Sequence, residues 1–214
     1  HKLKEFKFLS GGTDLNLIRP FIKENEENII SLKNVSELNK IEVSKSKIKL
    51  GSCVSIEDLL NVAKSKLPQI VELLKRFGSP LIRNQASIGG NLCTSSPIGD
   101  LAPIFLVLNS ELTLDNGKEI KKINLENFFT GYRRNILNKK SFLQSISFLL
   151  PKKDYRFFSW KYSKRYDQDI STVSLAILIK VKNSLISDIK IAAGGVFEKP
   201  ILLKNLSNFL INKN

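Results

Sequence analysis

The sequence predicts an α+β fold, on three observations. Segments that alternate apolar and polar residues come in pairs, as antiparallel strands do. Between the pairs lie segments with apolar residues at helical spacing, and 42% of the 214 residues are apolar, enough for a core. No repeat of solenoid period and no low-complexity stretch interrupts the pattern.

Taken in order, residues 5–10 (EFKFLS) alternate as a strand that runs into the turn GGTDLN, and residues 28–32 (NIISL) form a second short strand. Residues 41–52 read as a hairpin with polar residues at its turn. A helix is predicted over 55–65, with Ser55 as N-cap and Ile56, Leu59, Leu60 and Ala63 on one face. A partner helix is predicted over 67–79, with Pro68 in its first turn and Gly78 just past its end. Residues 87–103, SIGGNLCTSSPIGDLAP, read as a loop of small polar groups, with a helix beginning after Asp100. Beyond it, 111–123 form a hairpin turned by Asp115, Asn116 and Gly117, 124–137 are helical or irregular, and 141–151 are a strand ended by Pro151. Strands over 157–164, 171–181 and 187–196 and a helix over 201–211 complete the chain, with a domain boundary near Pro151.

Composition narrows the function. No apolar run approaches the roughly 18–20 residues of a membrane-spanning helix, and no cleavable leader is visible, so a soluble, cytoplasmic protein without a membrane partner is expected. The chain starts at His1 and contains no methionine, so it reads as a fragment or a processed subunit. Cys53 and Cys93 cannot supply the four ligands of a structural zinc or an iron–sulfur cluster, so no metal site is assigned. The single histidine is terminal and no Ser/His/Asp or Cys/His set exists, so no catalytic residue is assigned. The net charge of +14 is scattered along the chain, which suits an anionic small ligand at least as well as a nucleic acid.

Two glycine turns follow predicted strands: residues 10–15 (SGGTDL) and 89–91 (GGN). Glycine lets an anion approach main-chain N–H groups closely. Neither turn is a Walker sequence or a GxGxxG motif, and each by itself reads more readily as a tight turn. Taken together, with hydroxyl donors from Thr13, Ser87, Thr94, Ser95 and Ser96, the two loops suit the diphosphate of one dinucleotide.

These same stretches resemble the FAD-binding subunit or domain of the molybdenum hydroxylases, the group of xanthine dehydrogenases and carbon monoxide dehydrogenase medium subunits. FLSGGTDLNL resembles that family's first flavin loop and IRNQASIGGNLCTSSPIGDLAP its second; FFTGYRRNIL and KYSKRYDQDIS resemble its next landmarks, in the same order. LLKRFGSPLIRN and the order Tyr-Asp-Gln-Asp-Ile are most like bacterial xanthine dehydrogenase small subunits.

The resemblance implies a two-lobed FAD-binding domain of the PCMH, vanillyl-alcohol-oxidase-like type over 1–151, with lobes of about 1–54 and about 55–151. It implies part of a C-terminal antiparallel-sheet-plus-helix domain over 152–214. It further implies an oxidoreductase component that passes electrons from iron–sulfur clusters through FAD to NAD+, with molybdopterin on a large subunit and 2Fe-2S clusters on another subunit or segment. Carried over by position, Ser10, Gly11, Gly12, Thr13, Asp14 and Leu15 hold the FAD diphosphate. Ser87, Gly90, Asn91, Thr94 and Ser96 contact diphosphate and ribityl, and Asp100 takes adenosine-side hydroxyls. Phe77 lies against the isoalloxazine, Lys161 at the flavin edge and Leu143 in the adenine pocket.

Read from the residues alone, Phe77 is a core aromatic, Lys161 a solvated strand lysine, Asp100 a helix cap and Cys93 a small buried residue. Where the family commonly has Pro-Gly-Glu before the strand at 142, this chain has Asn138, Lys139, Lys140 and Ser141, so a carboxylate role does not transfer there. The family's leading strand and helix are absent before FLSGG, and the C-terminal domain matches only in its first half, which leaves a chain that is incomplete or leans on a partner. Two other readings stand beside this one: a flavin-free assembly subunit, and a basic α+β module for nucleic acid or another polyanion, for which residues 159–169 are the candidate track.

Overall fold

In the computed structural model, which describes residues 6–18 and 28–214, β1 (Phe6–Leu9) runs parallel to β2 (Asn28–Ser31). Glu5, the expected start of the first strand, lies outside the described residues. The short helix α1 (Leu15–Ile18) follows the first glycine turn. Phe8 sets its ring edge-on to Phe142, with centroids 5.3 Å apart, which seats this small parallel pair on the main body.

The hairpin of β3 (Ile41–Val43) and β4 (Lys47–Gly51) forms as predicted. Helix α2 (Ile56–Lys66) also follows the pattern: the Ser55 hydroxyl accepts from the Asp58 amide, and Ile56, Leu59, Leu60 and Ala63 are all buried. The single helix expected over 67–79 is instead a 3-10 turn at 68–70 followed by α3 (Val71–Lys75). It ends early because the Arg83 guanidinium donates to the Lys75 carbonyl at 2.8 Å and takes the acceptor that a longer helix would use. Helix α4 (Pro80–Gln85) is absent from the sequence-based expectation, although its start signals are in the sequence: the Ser79 hydroxyl accepts from the Ile82 amide, and Pro80 occupies the first turn.

The stretch 87–103 is not a continuous loop. It contains α5 (Ile88–Cys93), begun by Ser87, and leads into α6 (Leu101–Val107). All residues of α6 are buried. A helix apolar on every side belongs in a core, and α6 lies there: Phe105 meets Phe148 at 5.4 Å, while the C-terminal sheet packs on the helix from the other side.

Strands β5 (Glu111–Asp115) and β6 (Ile120–Asn124) make the predicted hairpin. Residues 124–137, expected to be helical or irregular, resolve into a 3-10 turn at 125–127 and a small hairpin of β7 (Phe129–Gly131) and β8 (Arg134–Asn135). β9 (Phe142–Leu149) is the central strand of an antiparallel five-stranded sheet of order β3-β4-β9-β5-β6. The β3–β4 hairpin, whose residues fall within the first lobe as drawn from the sequence, thus pairs through β4 with β9 of the second.

β10 (Arg156–Tyr162), β11 (Val173–Lys182), β12 (Leu185–Gly194) and β13 (Ile201–Leu202) form a second antiparallel sheet, and α7 (Lys204–Leu210) covers β12. The helix expected over 201–211 is shorter because Ile201 and Leu202 pair with Ala193 and Ala192 instead. Phe157, Ala176 and Ala192 of this sheet join Leu101, Ile104 and Phe105 in a core continuous with that of the five-stranded sheet. Burying a side chain such as Phe105 contributes about 2–3 kcal/mol, so the two sheets are held against α6 largely by apolar contact.

Candidate functional site

The turn between β1 and α1 presents main-chain donors. Gly12 has φ +74°, and the amides of Gly11, Gly12, Thr13, Asp14 and Leu15 reach no backbone acceptor among the described residues. Ser10, Gly11, Gly12, Thr13 and Leu15 are partly exposed and Asp14 is exposed, so the turn lies at the surface. Gly11 is also pinned from behind: a Cβ there would sit 1.6 Å from the Gln85 carbonyl oxygen at the end of α4.

The second glycine stretch lies beside the first. Thr94, at the C-terminal end of α5, donates its hydroxyl to Asp14 Oδ2 at 2.7 Å, with the Gly90 carbonyl as the alternative acceptor at 2.9 Å. The Ser87 hydroxyl accepts from the Gly90 amide at 3.0 Å, and Gly90 itself is exposed. Asn91 Oδ1 accepts from the Leu101 amide at 3.4 Å, and Ser96 Oγ accepts from the Ile98 amide at 3.4 Å, which folds the segment back onto the start of α6. Ser95 adopts φ +50° and is buried, and Asn135 of β8 donates to Ser95 Oγ at 2.8 Å and to the Cys93 carbonyl at 2.9 Å. Ser95 is thus held in a left-handed conformation by a partner forty residues away.

Asp100 and Lys161 correct the readings made from the residues alone. Asp100 precedes α6 but makes no side-chain capping bond to it. Lys161 on β10 is buried, not solvated, and its ammonium donates to Asp100 Oδ2 at 2.8 Å. The two side chains are 3% and 7% exposed, and the Ser171 hydroxyl donates to the other carboxylate oxygen. The pair joins the start of α6 to the C-terminal sheet. The Lys161 ammonium offsets the charge of the buried carboxylate.

Phe77 lies two residues past α3, partly buried and packed against the core, in keeping with a core aromatic. Leu143 is 2% exposed in β9, in the core, with its backbone beside the Cys93 thiol at the end of α5. Arg76 carries no signal in the sequence that marks it. It donates to the Lys161 carbonyl at 2.6 Å, Ser163 Oγ at 2.8 Å and the Tyr166 carbonyl at 3.0 Å, and its guanidinium stacks 4.8 Å from the Tyr166 ring centroid. It fastens residues 161–166 to the end of α3. Within the 159–169 stretch Asp169 accepts from the Arg165 amide, which holds its carboxyl below the ordinary value. That acid is committed to shaping the segment.

Among the described residues no three His, Cys, Asp or Glu side chains converge as a metal ion would need, and no helix is long and apolar enough to cross a membrane.

The family model of the FAD binding domain in molybdopterin dehydrogenase matches residues 1–152, and that of the CO dehydrogenase flavoprotein C-terminal domain matches 158–214. The chain belongs to the FAD-binding domains of the molybdopterin dehydrogenases. Xanthine dehydrogenase 1 of Arabidopsis thaliana is 30% identical over 224 residues, an alignment that takes in 97% of this chain and 16% of the plant protein. The glyceraldehyde dehydrogenase medium chain of Sulfolobus acidocaldarius is 27% identical, over 96% of this chain and 73% of its own. The chain thus spans only 16–17% of the xanthine dehydrogenases at the head of these matches. Among solved structures, the carbon monoxide dehydrogenase of Hydrogenophaga pseudoflava superposes with a TM-score of 0.91 at 20% identity, over 98% of this chain and 74% of that one. Quinoline 2-oxidoreductase of Pseudomonas putida 86 superposes with a TM-score of 0.86 at 21% identity, over 97% of this chain and 73% of its own. These likenesses establish the α+β fold of the FAD-binding family.

The donor set fits FAD. A diphosphate needs several N–H and O–H donors converging from more than one segment. Here five amides without a backbone acceptor on the first turn stand beside the exposed Gly90 and the hydroxyl-rich end of α5.

Proposed function

We propose that this chain is the flavin-bearing electron-transfer unit of a xanthine dehydrogenase-like molybdenum hydroxylase. The observation that carries this is the juxtaposition of the 10–15 turn with the 87–96 segment through the Asp14–Thr94 hydrogen bond, within a family of FAD-binding domains. When bound, FAD supplies the redox chemistry, and the protein's part is to place and tune it.

In this reading the amides of residues 11–15, with Ser10, Thr13, Gly90, Thr94 and Ser96, hold the diphosphate, while Ser87 and Asn91 set the backbone of α5. Asp100 and Lys161 act as one neutral pair, the acid toward cofactor hydroxyls and the ammonium toward the flavin edge, and Phe77 offers a ring face. Leu143 contributes through the core wall behind the site. Molybdopterin resides on a large subunit and 2Fe-2S clusters on another subunit or segment, NAD+ is the electron acceptor, and the complex is cytoplasmic.

Titration of the purified protein with FAD, followed by absorbance and flavin fluorescence, tests the first part. Stoichiometric uptake is expected, and a protein that takes up no flavin overturns the reading. Addition of NADH to the loaded protein tests the acceptor: bleaching of the visible flavin bands is expected, and a spectrum that NADH leaves unchanged removes NAD+ from the proposal.

A further inference from the structure

We propose that Ser171 is a positioning residue of the flavin site, acting through Asp100. This rests on the reading of Asp100 and Lys161 as cofactor contacts. Ser171 lies in the connection between β10 and β11, and the neighbouring Thr172 amide donates to the Tyr162 carbonyl at 2.8 Å, which fixes the local backbone. The Ser171 side chain is buried, and its hydroxyl donates to Asp100 Oδ1 while Lys161 holds Oδ2.

A buried ion pair persists only when the remaining lone pairs of the acid are satisfied. Without the Ser171 hydroxyl, Oδ1 becomes a buried anionic oxygen with no donor. The carboxylate then turns both oxygens onto the ammonium, which takes up more of its three N–H bonds. Among the described residues Asp100 accepts from the Lys161 ammonium, and on this proposal the other N–H bonds of the ammonium are left to the flavin. Ser171 therefore keeps Asp100 oriented and Lys161 available. Because Lys161 lies on the C-terminal sheet, Ser171 in its β10–β11 connection and Asp100 at the start of α6, flavin affinity is tied to the docking of that sheet.

The test is FAD titration of the purified protein and of Ser171→Ala, Ser171→Thr, Asp100→Asn and the Ser171→Ala/Asp100→Asn double variant, with thermal midpoints of the flavin-free forms measured alongside. Ser171→Ala is expected to weaken FAD binding about tenfold, as for a lost hydrogen bond to a charged group. Ser171→Thr, which keeps the hydroxyl, is expected to restore it. The double variant is expected to bind as Asp100→Asn alone, since no carboxylate is left for Ser171 to orient against the Lys161 ammonium. The proposal is overturned if Ser171→Ala binds FAD as the native protein does while Asp100→Asn is weakened, or if the two effects add in full. A lowered thermal midpoint with unchanged FAD affinity overturns it as well. Native affinity in Asp100→Asn overturns the placement of Asp100 at the flavin, a failure distinct from that of Ser171. Should Ser171→Ala not fold, Ser171→Cys, which fills the space with a weak donor, gives the same comparison.

Discussion

Thr94 donates its hydroxyl to Asp14 at 2.7 Å across a sequence separation of 80 residues, and this bond brings the two glycine stretches into one site. It lies at the surface, so its loss destabilises the fold by only about 1 kcal/mol, but it sets the spacing between the two glycine stretches proposed to hold the diphosphate. Thr94→Val is therefore expected to weaken FAD binding severalfold with little change in thermal midpoint, and Thr94→Ser to bind as the native protein does. Titration calorimetry with FAD alongside thermal unfolding separates the two effects.

Gly11 makes a sharper prediction. An added methyl would stand 1.6 Å from the Gln85 carbonyl, and that acceptor is backbone at the end of α4 and cannot swing aside. Gly11→Ala is expected to displace the 10–15 turn and abolish FAD uptake. Gly117, at φ +79° in the β5–β6 turn with nothing within 4 Å of where a methyl would stand, is the control. Gly117→Ala strains only the backbone, by about 1 kcal/mol, which for a chain of this size lowers the midpoint by about 2–4 °C. FAD uptake is expected to survive it.

These two residues also mark how far the sequence is legible. Helix α2 can be read because its signals are local: a capping serine, then apolar residues at spacings of three and four. The two glycine stretches can be read as donors because glycine, serine and threonine carry that chemistry wherever they stand. Helix α5 escapes such a reading because Gly89, Gly90 and Asn91 are weak helix formers, and what overrides them is Ser87 capping and packing against the rest of the fold. The Asp100–Lys161–Ser171 cluster escapes it for a different reason. Asp100 lies 61 residues from Lys161 and 71 from Ser171, and nothing near Lys161 in the chain distinguishes a buried lysine from a solvated one. The same holds for Arg76, whose acceptors lie 85 to 90 residues away.

Arg76 offers a test of how the 161–166 segment is held. Its planar fork reaches two carbonyls and a hydroxyl at once while lying over Tyr166, an arrangement lysine cannot copy. Arg76→Ala is expected to cost about 2–3 kcal/mol, and Arg76→Lys to recover little of it. Limited proteolysis is the direct measurement: cleavage after Lys164 or Arg165 by trypsin should accelerate in both variants, and an unchanged digestion rate would show that the segment is held by other contacts.

Cys93 supplies a pH dependence with a definite sign. Burial pushes its thiol from 9.0 up to about 12, while a backbone hydrogen bond at Leu143 pulls weakly the other way. The native state thus keeps a proton that the unfolded chain has lost across the interval from 9.0 to about 12. Stability contributed by the neutral buried thiol is therefore whole below 9.0 and declines as pH rises toward the folded value. The slope from one such group is at most about 1.4 kcal/mol per pH unit. Lysines and tyrosines titrate in the same range, so the informative quantity is the difference between the native protein and Cys93→Ala. Urea unfolding at about pH 8 and about pH 10.5 should show the native protein losing more stability over that interval than the variant does. Equal losses would mean that the thiol is not enclosed. Iodoacetamide gives a second measurement of the same burial: native Cys93 should resist alkylation at neutral pH and react once the protein is unfolded.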